Sequence, residues 1–242
     1  MLARSLGGAR RMSGAAARLG AAEAQALWRR ADAVCFDVDS TVVTEEGIDV
    51  LAEHVGAGPA VAEWTRRAMG GGVPFHEALA ARLQLMKPSL RDVAECQKKH
   101  PLVLTPGVKE LITTLHARKT HVYLVSGGFR QMINPLAPVL GIPADRIFAN
   151  NLLFAEDGTY KGFDATEPTS RAGGKAKVVK HLKDKHGYKT MFMIGDGATD
   201  MEARPPADAF IGFGGIVVRD VVKNGADWFC TDMQEMIRLL KR

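Results

Sequence analysis

The chain has 242 residues, of which 46% are hydrophobic and 24% are charged. This is an ordinary globular composition, and the length can hold one domain with a large insertion or two small domains. No apolar stretch approaches the ~18 residues of a membrane-spanning helix. The net charge is +5, but residues 1–22 carry four arginines and no acid, which leaves a net charge of +1 for the rest. A nearly neutral remainder argues against a nucleic-acid-binding protein, which would carry a basic face on its folded domain.

Residues 1–22 form a leader rich in Ala, Gly, Ser and Arg. That composition is typical of an organellar transit peptide. A disordered cytosolic extension and a chain that starts at Met12 remain open as alternatives. The three cysteines, Cys35, Cys96 and Cys230, are far apart and odd in number, which indicates a reducing compartment. We predict a cytoplasmic location, with mitochondrion or plastid as the alternative if the leader directs import.

Five short segments are predicted as buried parallel strands, because each is apolar almost throughout and ends in a polar turn. In chain order they are residues 33–38, 121–125, 191–194, 209–213 and 227–230. Helical patterns lie between some of them. Thr105 is predicted to cap a helix that begins with Pro106, and Asp232 precedes Glu235 at a capping-box spacing. The alternation predicts an α/β fold with a Rossmann-like doubly wound parallel sheet.

Two segments interrupt this alternation. About sixty residues after the first strand contain no convincing strand, and helical stretches at 50–54, 60–69 and 75–85 fill much of this part. We predict a helical cap at residues 49–104, inserted after the first strand of a core made of residues 23–48 and 105–242. A β-hairpin is predicted near residues 147–163, around the turn Glu156-Asp157-Gly158.

Asp37 and Asp39 lie two residues apart at the carboxyl end of the first predicted strand. In an open α/β sheet that edge is where ligands bind. A carboxylate pair there can hold a hard cation, supply a nucleophile or supply a proton donor. The alternative is a pair of acids that only cap the following turn.

Three further motifs follow strands or begin helices. Ser126-Gly127-Gly128 ends a strand and suits an oxyanion or phosphate, although a simple strand-to-helix turn is the alternative. Lys175 follows Gly173-Gly174 and could neutralise a phosphoryl group. The run from Asp196 to Asp200 follows another apolar strand and suggests metal ligation at the same edge. Four such features together are improbable as a coincidence.

The order and type of these motifs resemble the haloacid dehalogenase-like phosphatases and, among them, the phosphoserine phosphatase family. The resemblance rests on residues 36–48, 66–75, 126–130, 163–175 and 193–215 and leaves out the leader. It implies a nucleophile at Asp37, which would form an aspartyl-phosphate, and a general acid and base at Asp39. It implies Mg²⁺ held by the Asp37 carboxylate, the Asp39 backbone carbonyl and Asp196.

The resemblance also assigns the remaining site residues. Asp200 would orient metal-bound water and Lys175, and the phosphoryl oxygens would be bound by Ser126, Gly127, Gly128 and Lys175, with Thr199 in the same pocket. For the substrate it implies Glu46 at the ammonium and Arg82 at the carboxylate, with Met69, Gly70 and Phe75 lining the cap.

The expected reaction is hydrolysis of O-phosphoserine, a small-molecule substrate, to serine and phosphate in serine biosynthesis. No nucleic-acid or membrane partner is expected, and a homodimer is left open. One alternative is a related phosphatase or phosphotransferase that acts on another small phosphomonoester. A receiver-like switch is disfavoured because Asp39 would serve no purpose in it. An inactive binding relative is disfavoured because every proposed catalytic position holds a competent residue.

Overall fold

The computed structural model describes residues 18–69 and 73–241, with only the backbone of Met69. Its strands are β1 (Ala33–Phe36), β2 (His121–Phe129), β3 (Ile147–Asn150), β4 (Leu152–Phe154), β5 (Tyr160–Phe163), β6 (Met191–Gly195), β7 (Ala209–Phe213) and β8 (Trp228–Cys230). Six of them form one sheet in the order β3-β2-β1-β6-β7-β8. Every neighbouring pair in that sheet is parallel, so the predicted parallel α/β sheet is confirmed.

Helices surround this sheet. In chain order they are α1 (Ala21–Trp28), α2 (Gly47–His54), α3 (Gly58–Met69), α4 (Phe75–Met86), α5 (Leu90–Lys99), α6 (Val108–Ala117), α7 (Arg130–Ile133), α8 (Leu136–Leu140), α9 (Gly174–His186), α10 (Ala198–Met201), α11 (Asp220–Gly225) and α12 (Met233–Leu240). Short 3₁₀ turns occupy Ala144–Arg146 and Pro168–Ser170. None of the helices in the described ranges is both long and apolar enough to pass through a bilayer.

The central strand β1 is buried along its whole length, and successive side chains of a strand point to opposite faces. Val34 and Phe36 pack on one face with apolar residues of α1, α6 and α12. Ala33 and Cys35 pack on the other face with residues of α9 and α11. A strand covered on both faces must be apolar at every position, which explains the uninterrupted apolar run in the sequence.

Helices α2 to α5 follow β1 and precede α6. They share an apolar cluster that includes Leu51, Leu79 and Val93, and this cluster continues into Phe129 of β2 and Leu152 of β4. The three predicted helical stretches lie within α2, α3 and α4. The division of the chain into a core and a separate cap at residues 49–104 stays a prediction.

The start of α6 differs from the prediction. The helix begins at Val108, and its N-cap is Gly107 with a φ of 83°, a value that glycine adopts without steric cost. Thr105 precedes the helix, and its backbone oxygen accepts a hydrogen bond from the Val108 amide. The Thr105 hydroxyl is buried and makes no hydrogen bond within the described residues. The cap assigned to Thr105 and Pro106 was therefore wrong.

The segment predicted as a hairpin divides into two parts. Strands β4 and β5 form an antiparallel pair, as predicted. Residues Ile147–Asn150 instead form β3, which pairs in parallel with β2 at the edge of the main sheet. The sequence pattern did not separate this edge strand from the hairpin that follows it.

The N-terminal helix is anchored in the core. Trp28 is fully buried, contacts Phe192 with a ring-centroid distance of 5.2 Å, and donates from Nε1 to the Met236 carbonyl at 3.1 Å. The Leu19 amide donates to Asp227 Oδ1 at 2.7 Å. The predicted leader boundary at residue 22 thus falls inside α1. Most of the leader, residues 1–17, lies outside the described residues.

Candidate active site

The carboxyl ends of β1, β2 and β6 meet at one edge of the sheet, and a cavity of about 640 Å³ opens there. Residues predicted for the site contribute much of its lining: Asp37, Asp39, Glu46, Phe75, Arg82, Gly127, Lys175, Asp196 and Thr199. Asp200, Ser126 and Gly128 lie close behind this surface. Gly70 and the side chain of Met69 lie outside the described residues.

Lys175 stands between two acids. Its Nζ atom lies 2.8 Å from Asp37 Oδ1 and 2.6 Å from Asp200 Oδ1. Burial lowers the pKa of Lys175, but the carboxylates of Asp200 and Asp37 raise that pKa by more, so the ammonium remains charged. Lys175 lies in the first turn of α9, whose N-cap is Gly173 with a φ of 68°. The first turn of α9 therefore places the buried Lys175 ammonium in contact with Asp37.

Asp39 has different surroundings from Asp37. Its Oδ1 atom accepts a hydrogen bond of 2.8 Å from the Gly47 amide. Burial raises the pKa of Asp39 to about 8, and the nearby acids Glu46 and Asp37 add to the rise. Two carboxyl groups only two residues apart thus have different surroundings, since Asp37 contacts the Lys175 ammonium and Asp39 favours its protonated form.

Asp196 belongs to a buried acidic cluster. One carboxylate oxygen each from Asp37, Asp196 and Asp200 lie within 4.8 Å of one another. Burial raises the pKa of Asp196, with Asp37 adding to the rise and Arg219 opposing it. Hard oxygen donors in this number fit a divalent cation such as Mg²⁺. The cluster contains Asp200, for which a role in orienting metal-bound water was predicted, and the backbone contribution of Asp39 stays a prediction.

Glu46 lies at the N-cap of α2 and faces the same cavity. Its Oε1 atom accepts a hydrogen bond of 2.9 Å from the Ser40 hydroxyl and lies 3.6 Å from an Arg219 nitrogen. Burial raises the pKa of Glu46.

Arg82 extends from α4 into the cavity. Its Nε atom donates to the Ala78 carbonyl at 3.1 Å, and a terminal nitrogen donates to the Thr65 hydroxyl at 3.4 Å. Burial lowers the pKa of Arg82, whereas the acids Asp49 and Glu46 oppose this shift. A half-buried guanidinium with donors to spare is suited to bind a carboxylate.

The Ser126-Gly127-Gly128 segment lies within β2, where the pairing with β3 is irregular. The Gly128 amide donates to Ser126 Oγ at 2.8 Å, and the Gly127 carbonyl accepts from Asn150 Nδ2 at 2.7 Å. These two bonds hold the same peptide unit from both ends. A Cβ atom on Gly128 would lie 2.8 Å from Asp39 Oδ2, and one on Gly127 would lie 3.1 Å from Phe75 Cζ. A side chain at Gly128 would displace the Asp39 carboxyl group, and one at Gly127 would press on the Phe75 ring.

Arg219 and Asn150 are among the polar residues of the site that were missed from the sequence. Arg219 follows β7 and contacts both Asp196 and Glu46. Asn150 ends β3, and its Oδ1 atom accepts a 3.0 Å hydrogen bond from Thr169. A search for polar residues at every strand end would have found Asn150, whereas Arg219 lies beyond the irregular segment that follows β7 and carries no such signal.

Comparisons with known proteins agree with this geometry. The family model of the haloacid dehalogenase-like hydrolases matches residues 31–208. The chain is 60% identical to the chloroplastic phosphoserine phosphatase of Arabidopsis thaliana, over 88% of this chain and 73% of that protein. It is 55% identical to the phosphoserine phosphatase of Homo sapiens, over 89% of this chain and 96% of that protein.

A solved structure gives the same result. The phospho-aspartyl intermediate analogue of a phosphoserine phosphatase superposes with a TM-score of 0.75 at 28% identity, covering 86% of this chain and 98% of the other. Matches of this identity and coverage show family membership. The chain belongs to the haloacid dehalogenase-like hydrolases and, within them, to the phosphoserine phosphatase family.

Proposed function

We propose that the protein hydrolyses O-phospho-L-serine to L-serine and phosphate, the last step of serine biosynthesis. One observation supports this most strongly: a single cavity holds both a phosphoryl-transfer half and an amino-acid half. The first half contains Asp37, Asp39 and Lys175. The second contains Glu46 and Arg82, which carry the charges opposite to those of an amino acid's ammonium and carboxylate groups.

In the first step, a carboxylate oxygen of Asp37 attacks phosphorus and forms an aspartyl-phosphate. The bond from phosphorus to the serine oxygen breaks, and that oxygen takes the proton of the Asp39 carboxyl. The raised pKa of Asp39 supports this role, because a protonated acid is needed at neutral pH. The Lys175 ammonium offsets negative charge on the phosphoryl oxygens.

In the second step, the Asp39 carboxylate accepts a proton from water, and the water oxygen attacks phosphorus. The bond to Asp37 breaks and phosphate leaves. The Ser126-Gly127-Gly128 segment would bind the phosphoryl oxygens throughout, together with Lys175. The bond from the Gly128 amide to Ser126 Oγ supports this proposal, because it fixes the shape of the segment. Hydrolysis of phosphate monoesters is among the slowest uncatalysed reactions, which explains why so many charged groups converge here.

We further propose that the divalent cation is Mg²⁺, held by Asp37 and Asp196, by the Asp39 carbonyl, and near Asp200. When bound, it would neutralise negative charge on the phosphoryl group. Thr199, at the cavity rim, would line the phosphate pocket. Phe75 would close over the substrate from α4, since it approaches Gly127 closely, and Met69 and Gly70 would complete this lining.

A substrate panel tests the function. Purified protein with Mg²⁺ should release phosphate from O-phospho-L-serine, Asp37→Asn should abolish release, and Asp39→Asn should reduce it strongly. Rapid hydrolysis of an unrelated small phosphate ester with phosphoserine left intact would refute the substrate assignment. Phosphate transfer to an added alcohol in place of water would identify a phosphotransferase.

Arg82 separates substrate specificity from general catalysis. Arg82→Ala should lower kcat/KM for phosphoserine at least tenfold more than for an aryl phosphate, since losing a charge-assisted bond costs about 1.5–3 kcal/mol. Equal losses on both substrates would remove Arg82 from the recognition of the carboxylate.

For the location we propose the alternative to the predicted cytoplasm, namely that residues 1–22 direct the protein to an organelle. The leader composition supports this, as does the similarity to a relative named as chloroplastic. A fluorescent fusion with and without the leader tests it, and a diffuse cytosolic signal in both cases would refute it.

A further inference from the structure

Arg219 contacts two acids in different parts of the cavity, Asp196 and Glu46. It follows β7 at the end of an irregular segment and is 28% exposed. Its Nε atom donates to Asp196 Oδ2 at 3.0 Å. A terminal nitrogen of the same guanidinium lies 3.6 Å from Glu46 Oε1. One of these acids belongs to the candidate metal cluster, and the other is the candidate ammonium-binding group.

Each acid also has a hydroxyl partner of its own. The Thr41 hydroxyl donates to Asp196 Oδ1 at 3.1 Å, and the Ser40 hydroxyl donates to Glu46 Oε1 at 2.9 Å. Arg219 therefore supplies a second polar partner to each of the two acids. Within the ranges that the structure describes, it is the one side chain that forms ion pairs with both Asp196 and Glu46.

The type of residue suits this arrangement. A guanidinium is planar and presents five N–H donors in a fixed geometry, so it can bind two carboxylates at once. A lysine offers a compact point charge and would serve one of them. Partners that hold a ligating carboxylate in place determine how well it binds a metal, and their loss typically costs 10–100-fold in metal affinity.

We propose that Arg219 is a positioning residue that fixes the metal-binding carboxylate of Asp196 and the ammonium-binding carboxylate of Glu46 in one arrangement. Arg219 then holds one carboxylate in each half of the cavity, so replacing it weakens the binding of both Mg²⁺ and the amino acid. This inference rests on the proposed function, which gives the two acids their roles.

Three variants separate the shared contact from the individual ones. Arg219→Lys keeps the charge and loses the planar fork. Thr41→Val removes the other donor to Asp196, and Ser40→Ala removes the other donor to Glu46. Binding of Mg²⁺ alone and of L-serine is measured by calorimetry, which does not depend on turnover, and circular dichroism confirms that each variant is folded.

Arg219→Lys should weaken Mg²⁺ binding about tenfold and L-serine binding about threefold. Thr41→Val should weaken Mg²⁺ binding and leave L-serine binding within about twofold, and Ser40→Ala should show the reverse pattern. If Arg219→Lys does not fold, Arg219→Gln takes its place with the same expected losses.

The inference is overturned if the Arg219 variant alters only one affinity, alters neither, or binds Mg²⁺ more tightly. Tighter binding would make Arg219 a competitor of the cation. Wild-type protein that hydrolyses phosphoserine while the variant retains both affinities would leave the proposed function standing and refute the role of Arg219. Wild-type protein that neither binds L-serine nor hydrolyses phosphoserine would refute both.

Discussion

Asn150 allows a direct test of how the proposed phosphate-binding segment, Ser126-Gly127-Gly128, is held in place. Its Nδ2 atom donates to the Gly127 carbonyl at 2.7 Å, and its Oδ1 atom accepts from the Thr169 hydroxyl at 3.0 Å. Asn150 and Thr169 are both buried. We expect Asn150→Ala to destabilise the fold and to weaken phosphate binding together, because the freed Gly127 peptide can rotate.

The size of the effect follows from the groups left without partners. Asn150→Ala strands the Gly127 carbonyl and the Thr169 hydroxyl, and each buried unpaired group costs about 1–3 kcal/mol. The total loss in the free energy of unfolding is therefore about 2–6 kcal/mol. Thr169→Val strands only the Asn150 oxygen, so it should cost about 1–3 kcal/mol and leave the bond to Gly127 in place.

The assay pairs urea unfolding with calorimetric binding of inorganic phosphate in the presence of Mg²⁺. The Asn150 variant should lose stability and bind phosphate at least about tenfold more weakly, which corresponds to 1.4 kcal/mol. The Thr169 variant should lose stability and keep most of its phosphate affinity. If Asn150→Ala unfolds within about 0.5 kcal/mol of the wild type, or if both variants bind phosphate equally, this reasoning is refuted.

Three further predictions concern other contacts. Lys175→Met should abolish measurable turnover and destabilise the fold by about 3–5 kcal/mol, because two buried carboxylates lose their cation; wild-type stability in urea would contradict this. Gly128→Ala should lower kcat by about 10²-fold or more, since the new Cβ atom would lie 2.8 Å from Asp39 Oδ2. Gly20→Ala is the control: its Cβ atom would have no neighbour within 4 Å, so kcat should be unchanged. Removing residues 1–17 should leave the unfolding midpoint unchanged. Removing residues 1–22 should lower the free energy of unfolding by about 1–2 kcal/mol, because the 2.7 Å bond from the Leu19 amide to Asp227 is lost. Equal midpoints for the two truncations would contradict this.

The position of the candidate catalytic residues was largely predictable from the sequence. Parallel strands place their carboxyl ends at one edge, so acids that follow two buried strands had to come together. Asp37 and Asp196 fulfilled this expectation, and Lys175 followed because a helix start near that edge lies within reach. The irregularity of β2 around Gly127 was not predictable, because it depends on pairing with β3, which the sequence pattern had not separated from the hairpin.

The position of the residues that would bind the amino-acid half of the substrate could not be predicted from the sequence pattern. Glu46 and Arg82 lie outside the main sheet, and their approach depends on how α2 to α4 pack around Leu79 and its neighbours. Periodicity alone would treat Arg82 as an exposed residue of an amphipathic helix, and only the family resemblance assigned it a role. Neither periodicity nor the family resemblance indicated Arg219, because it follows an irregular segment and contacts the site only through its long side chain.

The contact between Trp28 and Met236 has a consequence for how the chain is made. These residues are 208 positions apart, so the first helix cannot reach its final place until nearly the whole chain has been synthesised. The central strand β1 has the same constraint, because its two neighbours begin at His121 and Met191. Closing such long loops is slow compared with forming local contacts. Helix α1 and strand β1 therefore remain without their final packing partners until these later parts of the chain have emerged.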